Sequence, residues 1–190
     1  MLRRRTLSLF VAVWCLTSVL HAETVTFELD PRATTIEFVF GATLHTVDGT
    51  MKAKQGTVKI DTETGDASGW IVLDATSAST DNARRDRKMH EKILESRRFP
   101  DIVFDVQKIG GQIHRTGRSE LEVQGILDFH GDRRFVSLPV VALTEGNRVT
   151  ATGSLLIPYV QWGLKDPSFL LLRVAKEVRV TVKAVGRLVR

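Results

Sequence analysis

STDNARRDRKMHEKILESRRFPDIVF, residues 79–104, is the stretch on which the fold turns. It reads as a helix followed by a strand, in a chain that elsewhere alternates like β-structure. Seven of its residues are basic: Arg84, Arg85, Arg87, Lys88, Lys92, Arg97 and Arg98. Either this is a basic helix that grips a nucleic acid or a membrane, or it is a lid on a β-domain. Ser79, Thr80 or Asp81 can cap its N-terminus, where free backbone N–H groups need an acceptor. Met89, Ile93 and Leu94 give a narrow apolar stripe, and Pro100 ends the helix and opens the next strand. Asp86, Glu91 and Glu95 are interleaved with the cations, with Glu91–Arg87 and Glu95–Lys92 in reach of each other one turn apart. A helix that grips phosphates carries fewer acids and more aromatic or amide side chains. A charged helix with one thin stripe is a solvated helix resting on a hydrophobic surface. On an all-β domain that surface is the mouth or side of a barrel.

The flanking sequence supplies the strands. Residues 24–29 alternate briefly. In 35–41, Ile36, Phe38 and Phe40 share one face. Met51, Ala53 and Gln55 oppose Lys52 and Lys54; then Val58 and Ile60 oppose Thr57 and Lys59, so the phase slips at Gly56, where a bulge is expected. Residues 62–66 form a turn and 69–77 a strand with Trp70 and Val72 inward. Ile102, Phe104 and Val106 alternate next, then Leu121, Val123, Gly125, Leu127 and Phe129. His130-Gly131-Asp132 and Glu145-Gly146-Asn147 are hairpin turns. They join strands over 135–143 and 148–157, and Val178, Val180, Val182 and Ala184 close the series. Pro139 belongs at an edge or bulge. About eight strands with no alternating helices favour an antiparallel barrel or sandwich in one domain.

The chain has 190 residues and a formal net charge of +5. Residues 1–22 read as an export signal: Arg3, Arg4 and Arg5, an apolar run over 7–20, and Ala22 at a cleavage point. An uncleaved membrane anchor is the alternative. The domain is then expected over residues 23–190, periplasmic or secreted. Without the three leader arginines, 24 basic face 22 acidic residues, a net of +2, which argues against a nucleic-acid partner. The single cysteine, Cys15, follows Trp14, which is not the small residue that lipidation requires. The exported chain would hold no thiol, disulfide or Cys-based metal site.

Catalytic signatures are missing. No G-x-S-x-G elbow, P-loop or dinucleotide fingerprint occurs. Asp86 and His90 lie one turn apart, but neither His-x-His nor HExxH spacing supports them as metal ligands. Neither a cofactor, a metal nor an enzymatic activity is expected.

Four segments together resemble the YceI-like lipid- and polyisoprenoid-binding family. They are LDPRATTIEF (29–38), RRDRKMHEKILESRRFPDIVF (84–104), GILDFHG (125–131) and IPYVQWGLKDPSFLLLRVAKEVRVTV (157–182). Where many members have Asn-Arg-x-Asp-aromatic-Gly, this chain reads PYVQWGLKDPS, the mark of a distinct branch. The resemblance implies an elongated eight-stranded antiparallel lipocalin-like β-barrel with one helix near its opening. It also implies a long isoprenoid or other lipid inside, held without covalent chemistry. The side chains expected around it are Phe38, Phe40, Met51, Trp70, Val72, Phe104, Phe129 and Leu155, with Met89 and Ile93 from the lid. Burying about fifteen carbons gains on the order of 10 kcal/mol at roughly 0.8 per methylene, and ordering offsets several kcal/mol. Ordinary core packing is the alternative for each of these residues. Arg84, Arg85 and Arg87 are candidates for a phosphate headgroup, or for plain surface solubility. Trp162 and Tyr159 either close the mouth or plug the core. A membrane-surface contact and a homodimer sharing one mouth are both compatible with this reading. The competing class is a protein-interaction or structural module whose barrel is filled.

Overall fold

The computed structural model describes residues 24–43, 45–168 and 173–189. The expected leader and Cys15 lie outside them. Nine strands run in chain order: β1 (Thr24–Leu29), β2 (Thr35–Gly41), β3 (Thr46–Asp61), β4 (Asp66–Ser79), β5 (Asp101–Gly111), β6 (Gly117–Phe129), β7 (Asp132–Glu145), β8 (Arg148–Ile157) and β9 (Val178–Val189). All neighbouring pairs are antiparallel, and the β3–β4 pairing closes the sheet into a barrel. Nine strands fill only eight positions. β1 and β2 lie end to end between β3 and β9: β1 pairs with the last residues of both and β2 with the earlier ones.

The break between β1 and β2 follows from LDPRAT. Pro31 offers no N–H for a ladder, and the Asp30 carboxylate accepts from the N–H groups of Arg32 and Ala33, which curls the chain out of the sheet. Val185 on β9, paired with β8 on one side, then meets neither β1 nor β2 on the other. Its C=O accepts from Asp30 N–H at 2.8 Å and its N–H donates to the buried Thr34 hydroxyl at 3.1 Å. A side chain substitutes for a missing rung and the barrel stays closed.

The phase slip in β3 is a bulge at Lys54–Gln55, immediately before Gly56: Ala53 pairs with Leu73 and Gln55 with Val72. Pro139 falls where the β7–β8 ladder stops. That ladder runs from Glu145–Arg148 to Val140–Gly153, so the first half of β7 has β6 as its only registered neighbour. Three core clusters line up inside the barrel. One lies around Ile36, Phe27 and Ala184, one around Val58 and Val106, and one around Leu127, Ile157 and Tyr159.

Two inward assignments are corrected. Trp70 and Val72 face outward, with Trp70 42% exposed, and Ile71 and Leu73 take the inner positions. Register explains it: Gly69 pairs with the inward Val58 and Ile71 with the inward Phe104, which leaves Trp70 opposite Thr57 and Asp105. The run Trp70-Ile71-Val72-Leu73 is apolar on both phases, so alternation within β4 cannot choose between them.

The patched break gives a prediction. Thr34→Val preserves shape but leaves the Val185 N–H unpaired in a buried site. Urea unfolding should show a loss of about 1–3 kcal/mol, most of it recovered in Thr34→Ser. Equal stability of the Val variant and the parent would show that the rung is not needed.

Candidate functional site: a cavity through the barrel

A single cavity of about 1170 Å³ runs inside the barrel, lined by every strand. That is at or above the ~300–1,000 Å³ range of pockets for drug-sized ligands. Its hollowness has a sequence cause. Several inward positions are small: Ala53, Ala142, Ala184, Gly125 and Gly153. Three inward phenylalanines lie against wall glycines instead of reaching the centre. A methyl group added at Gly49 would strike the Phe38 ring, one at Gly186 the Phe27 ring, and one at Gly125 would sit 2.9 Å from Phe104. Covering a strand glycine with a neighbouring ring shields its backbone, and here it also holds the ring to the wall.

The charged segment of 79–104 sits at one end of the cavity. Residues Ala83–Lys88 form an α-helix, α1, which continues into one π-helical turn, Met89–Ile93. The N-cap is Asn82, whose side chain accepts from Arg85 N–H at 3.0 Å, not Ser79, Thr80 or Asp81. Asp81 has φ of 57°, which turns the chain into the helix one residue later. Ser79 and Thr80 instead hold Asp86: its carboxylate accepts from the Thr80 N–H at 2.9 Å, the Thr80 hydroxyl, and the Ser79 hydroxyl at 3.0 Å. Arg85 donates to the Thr80 hydroxyl and carbonyl at 2.7 and 2.8 Å. His90 donates Nε2–H to the Ala78 carbonyl and bonds Ser96 through Nδ1, both at 2.9 Å. Nε2 thus ties the helical segment to β4 and Nδ1 ties it to the turn that follows it, and His90 makes no hydrogen bond to Asp86. Among the described residues no cluster of three or more metal-ligating side chains forms.

The described parts of the long β8–β9 connection, residues 158–168 and 173–177, complete this rim. Buried Tyr159 donates to the Ala175 carbonyl at 2.7 Å, and burial pushes its hydroxyl up to about 12. Lys88 Nζ reaches the Pro167 carbonyl at 3.2 Å, joining helix to connection. Thr43, between β2 and β3, donates from its hydroxyl to the Arg173 carbonyl and accepts from Arg173 N–H. The opposite end of the cavity is bordered by Thr62, Ile113, His114, Arg115, Ser119, Thr144 and Asn147. Both ends are polar and the stretch between them is not.

Of the residues anticipated around a ligand, Phe38, Phe40, Met51, Met89, Ile93, Phe104, Phe129 and Leu155 line this one cavity. Trp162 does not. It packs edge-on to Phe129 at 6.5 Å with the Arg134 guanidinium 5.3 Å from its ring, bracing the rim beside the cavity. Arg84 and Arg85 line the opening, and Arg87 points elsewhere; Arg85 is already committed to Thr80. Lys88 lines the opening too and was not anticipated, although it lies one turn beyond Arg84 on the same helix face. Tyr159 and Leu164 also line it. Glu91 and Glu95 form no ion pair with Arg87 or Lys92; Glu95, at φ of 44°, instead places its carboxylate 4.0 Å from His130.

A closed antiparallel β-barrel with a lidded apolar cavity is the architecture of a small-molecule binding protein. The YceI-like domain model matches residues 27–186, and the chain belongs to the YceI-like family. No curated protein matches the sequence. Among solved structures, Burkholderia cenocepacia BcnA is similar with a TM-score of 0.68 at 20% identity, over 83% of this chain and 98% of that one. A polyisoprenoid-binding domain from Saccharophagus degradans, implicated in plant cell wall breakdown, gives a TM-score of 0.61 at 17% identity, over 85% and 97%. The Campylobacter jejuni YceI protein gives 0.59 at 14%, over 76% and 86%. At these identities the shared property is the fold.

The Asp86 knot predicts a pH response. Burial raises the Asp86 carboxyl, but the hydrogen bonds from Thr80 and Ser79, helped by Arg85, outweigh it and leave the pKa lowered. A carboxyl lowered by folding contributes stability that is present above its unfolded value of about 3.9 and lost as pH falls through the folded value. Amide exchange of residues 83–93, corrected for intrinsic rate, should stay slow from neutral pH to about 5 and quicken below about 4. Asp86→Asn should quicken it above about pH 5, with the difference from the parent vanishing at low pH, while β5 to β8 stay protected. Equal protection in the variant would remove Asp86 as the anchor.

Proposed function

We propose that this chain is an exported carrier that holds one long isoprenoid or comparable amphipathic lipid inside its barrel, with no covalent chemistry. The carrying observation is the continuous apolar cavity of about 1170 Å³. Packed interiors lose about 24 cal/mol for each Å³ left empty. Even a tenth of that rate over this volume approaches ~3 kcal/mol, a sizeable part of the ~5–15 kcal/mol that stabilises a domain. Water is a poor filler, because each buried molecule needs two to four polar partners and the mid-barrel wall of Ile71, Leu73, Phe104, Leu121, Val140 and Ala151 supplies none. An alkyl or isoprenoid chain needs no such partners and gains about 0.8 kcal/mol per buried methylene. The polyisoprenoid-binding neighbour on the same fold supports the same ligand class.

The head of the lipid is assigned to the helix end, where Arg84 and Lys88 reach the opening and suit an anionic or phosphate group. Met89 and Ile93 close over the first methylenes. The basic leader pattern of residues 1–22 supports action in the periplasm or outside the cell. The filled-barrel module is the weaker reading, since the inward alanines and glycines leave the centre unoccupied.

Mass spectrometry of an organic extract of the purified protein should reveal a co-purified lipid at near-stoichiometric amount. Ala151→Phe, which projects a ring into the cavity from β8, should cut the bound amount severalfold with an unchanged far-UV spectrum. Met89→Arg and Ile93→Arg should lower retention with the sheet intact. An extract free of lipid, from protein that also fails to take up added long-chain isoprenoid, would overturn the proposal.

A further inference from the structure

The two ends of the barrel differ in charge. At the helix end, the strand connections 80–100 and 158–177 carry 10 basic and 6 acidic residues, a net of +4. At the other end, connections 62–65, 112–116 and 146–147 carry one of each, Arg115 and Glu63. The outer wall differs as well. Of the six large hydrophobic side chains exposed among the described residues, Val39, Leu156 and Phe135 lie within three residues of the helix end of their strands, against Leu143 and Val189 at the other end; Phe135, at 62%, is the most exposed of the six. At the helix end, two of the three are joined through one cation. Val39 and Leu156 both pair with Arg179, so an exposed cation stands between two exposed aliphatic side chains, and Phe135 projects from β7, next in the barrel order. Single exposed hydrophobics need no explanation; an aliphatic pair around an arginine, with an exposed aromatic ring at the same basic end, is the kind of surface with which interfacial proteins meet a bilayer.

From this we infer that the helix end of the barrel docks on an anionic lipid surface, with the α1 cations on headgroups and Phe135, Leu156 and Val39 in the interfacial layer. The cavity opening then faces the membrane. A second copy of the chain is the less fitting occupant, because two rims of +4 would repel each other. The docking rests on the rim alone and is independent of what the cavity holds.

The test is co-sedimentation of the purified protein with vesicles of phosphatidylcholine alone and of phosphatidylcholine mixed with phosphatidylglycerol. Binding is expected only to the anionic vesicles and should weaken as salt is raised. Arg87→Gln and Lys92→Gln, both on exposed helical positions, should each lower partitioning about fivefold, the equivalent of roughly 1 kcal/mol per cation. Phe135→Ser should lower it severalfold. Lys59→Gln, exposed on the far half of β3, should leave it unchanged. Absence of binding to either vesicle, equal binding to both, or an equal loss in Lys59→Gln would overturn the inference. So would a dimer that Phe135→Ser dissolves in a protein that ignores vesicles. The lipid extract of the same preparation reads the carrier proposal separately, so either idea can fail alone.

Discussion

The structure depends on the contact between inward phenylalanines and wall glycines. An eight-position barrel is just wide enough for its own side chains to fill, and this chain points five phenylalanines inward: Phe27, Phe38, Phe40, Phe104 and Phe129. Directed at the axis, such rings would go far toward making a solid core. Phe27, Phe38 and Phe104 instead cover Gly186, Gly49 and Gly125 on neighbouring strands. Each ring buries its face on backbone, and each glycine, costly in a strand by itself, is shielded. With Ala53, Ala142, Ala151 and Ala184 packed in the cluster around Phe27, the wall is well packed while the axis stays open.

The rim solves a different problem. A cavity that accepts a guest needs one end that opens, so the elements there must be held firmly yet separately from the barrel. The helical segment is fastened at its start by the Asp86–Thr80–Arg85 knot and at its end by His90 to Ala78 and Ser96. Between them, Met89 and Ile93 touch the cavity without a buried residue in the segment's eleven. The π-turn fits this arrangement: the widened Leu94 N–H to Met89 carbonyl bond at 2.9 Å shifts the side chains that follow on the helix face. Polar knots at both ends and a thin apolar contact in the middle hold the segment over the opening without packing it as a core helix.

Most of the fold was legible because period-two alternation is strong wherever one strand face meets the cavity and the other meets water. Ile36-Glu37-Phe38 and Leu121-Glu122-Val123 leave no choice of phase. Trp70 and Val72 failed where that contrast vanishes: Trp-Ile-Val-Leu fits either phase, and only pairing with β3 and β5 settles it. Trp162 packs on the core beside the cavity instead of lining it, and the sequence left both open, since the position of a loop side chain depends on what the loop folds against, and Arg134 and Phe129 are distant in sequence. The helix cap moved by one residue because positive φ at Asp81 is a local backbone choice that several polar residues in a row allow equally. The hollow centre was the least legible feature. Alternation shows which side chains point inward, not whether they reach one another, and that depends on glycines placed across the ladder.

A guest in such a barrel also acts on its stability. Ligand that binds only the folded state stabilises it by an amount that grows with the logarithm of concentration over Kd, while the unfilled cavity forfeits contacts along its whole length. The filled barrel is then the deeper state, and a bound chain surrounded by apolar wall leaves slowly into water, because each methylene must be rehydrated on the way. Release into a second apolar phase avoids that cost. The helix end joins the thin-contact cover, the basic rim and the Val39–Arg179–Leu156 group, so a chain held as proposed would leave from the end best suited to meet such a phase.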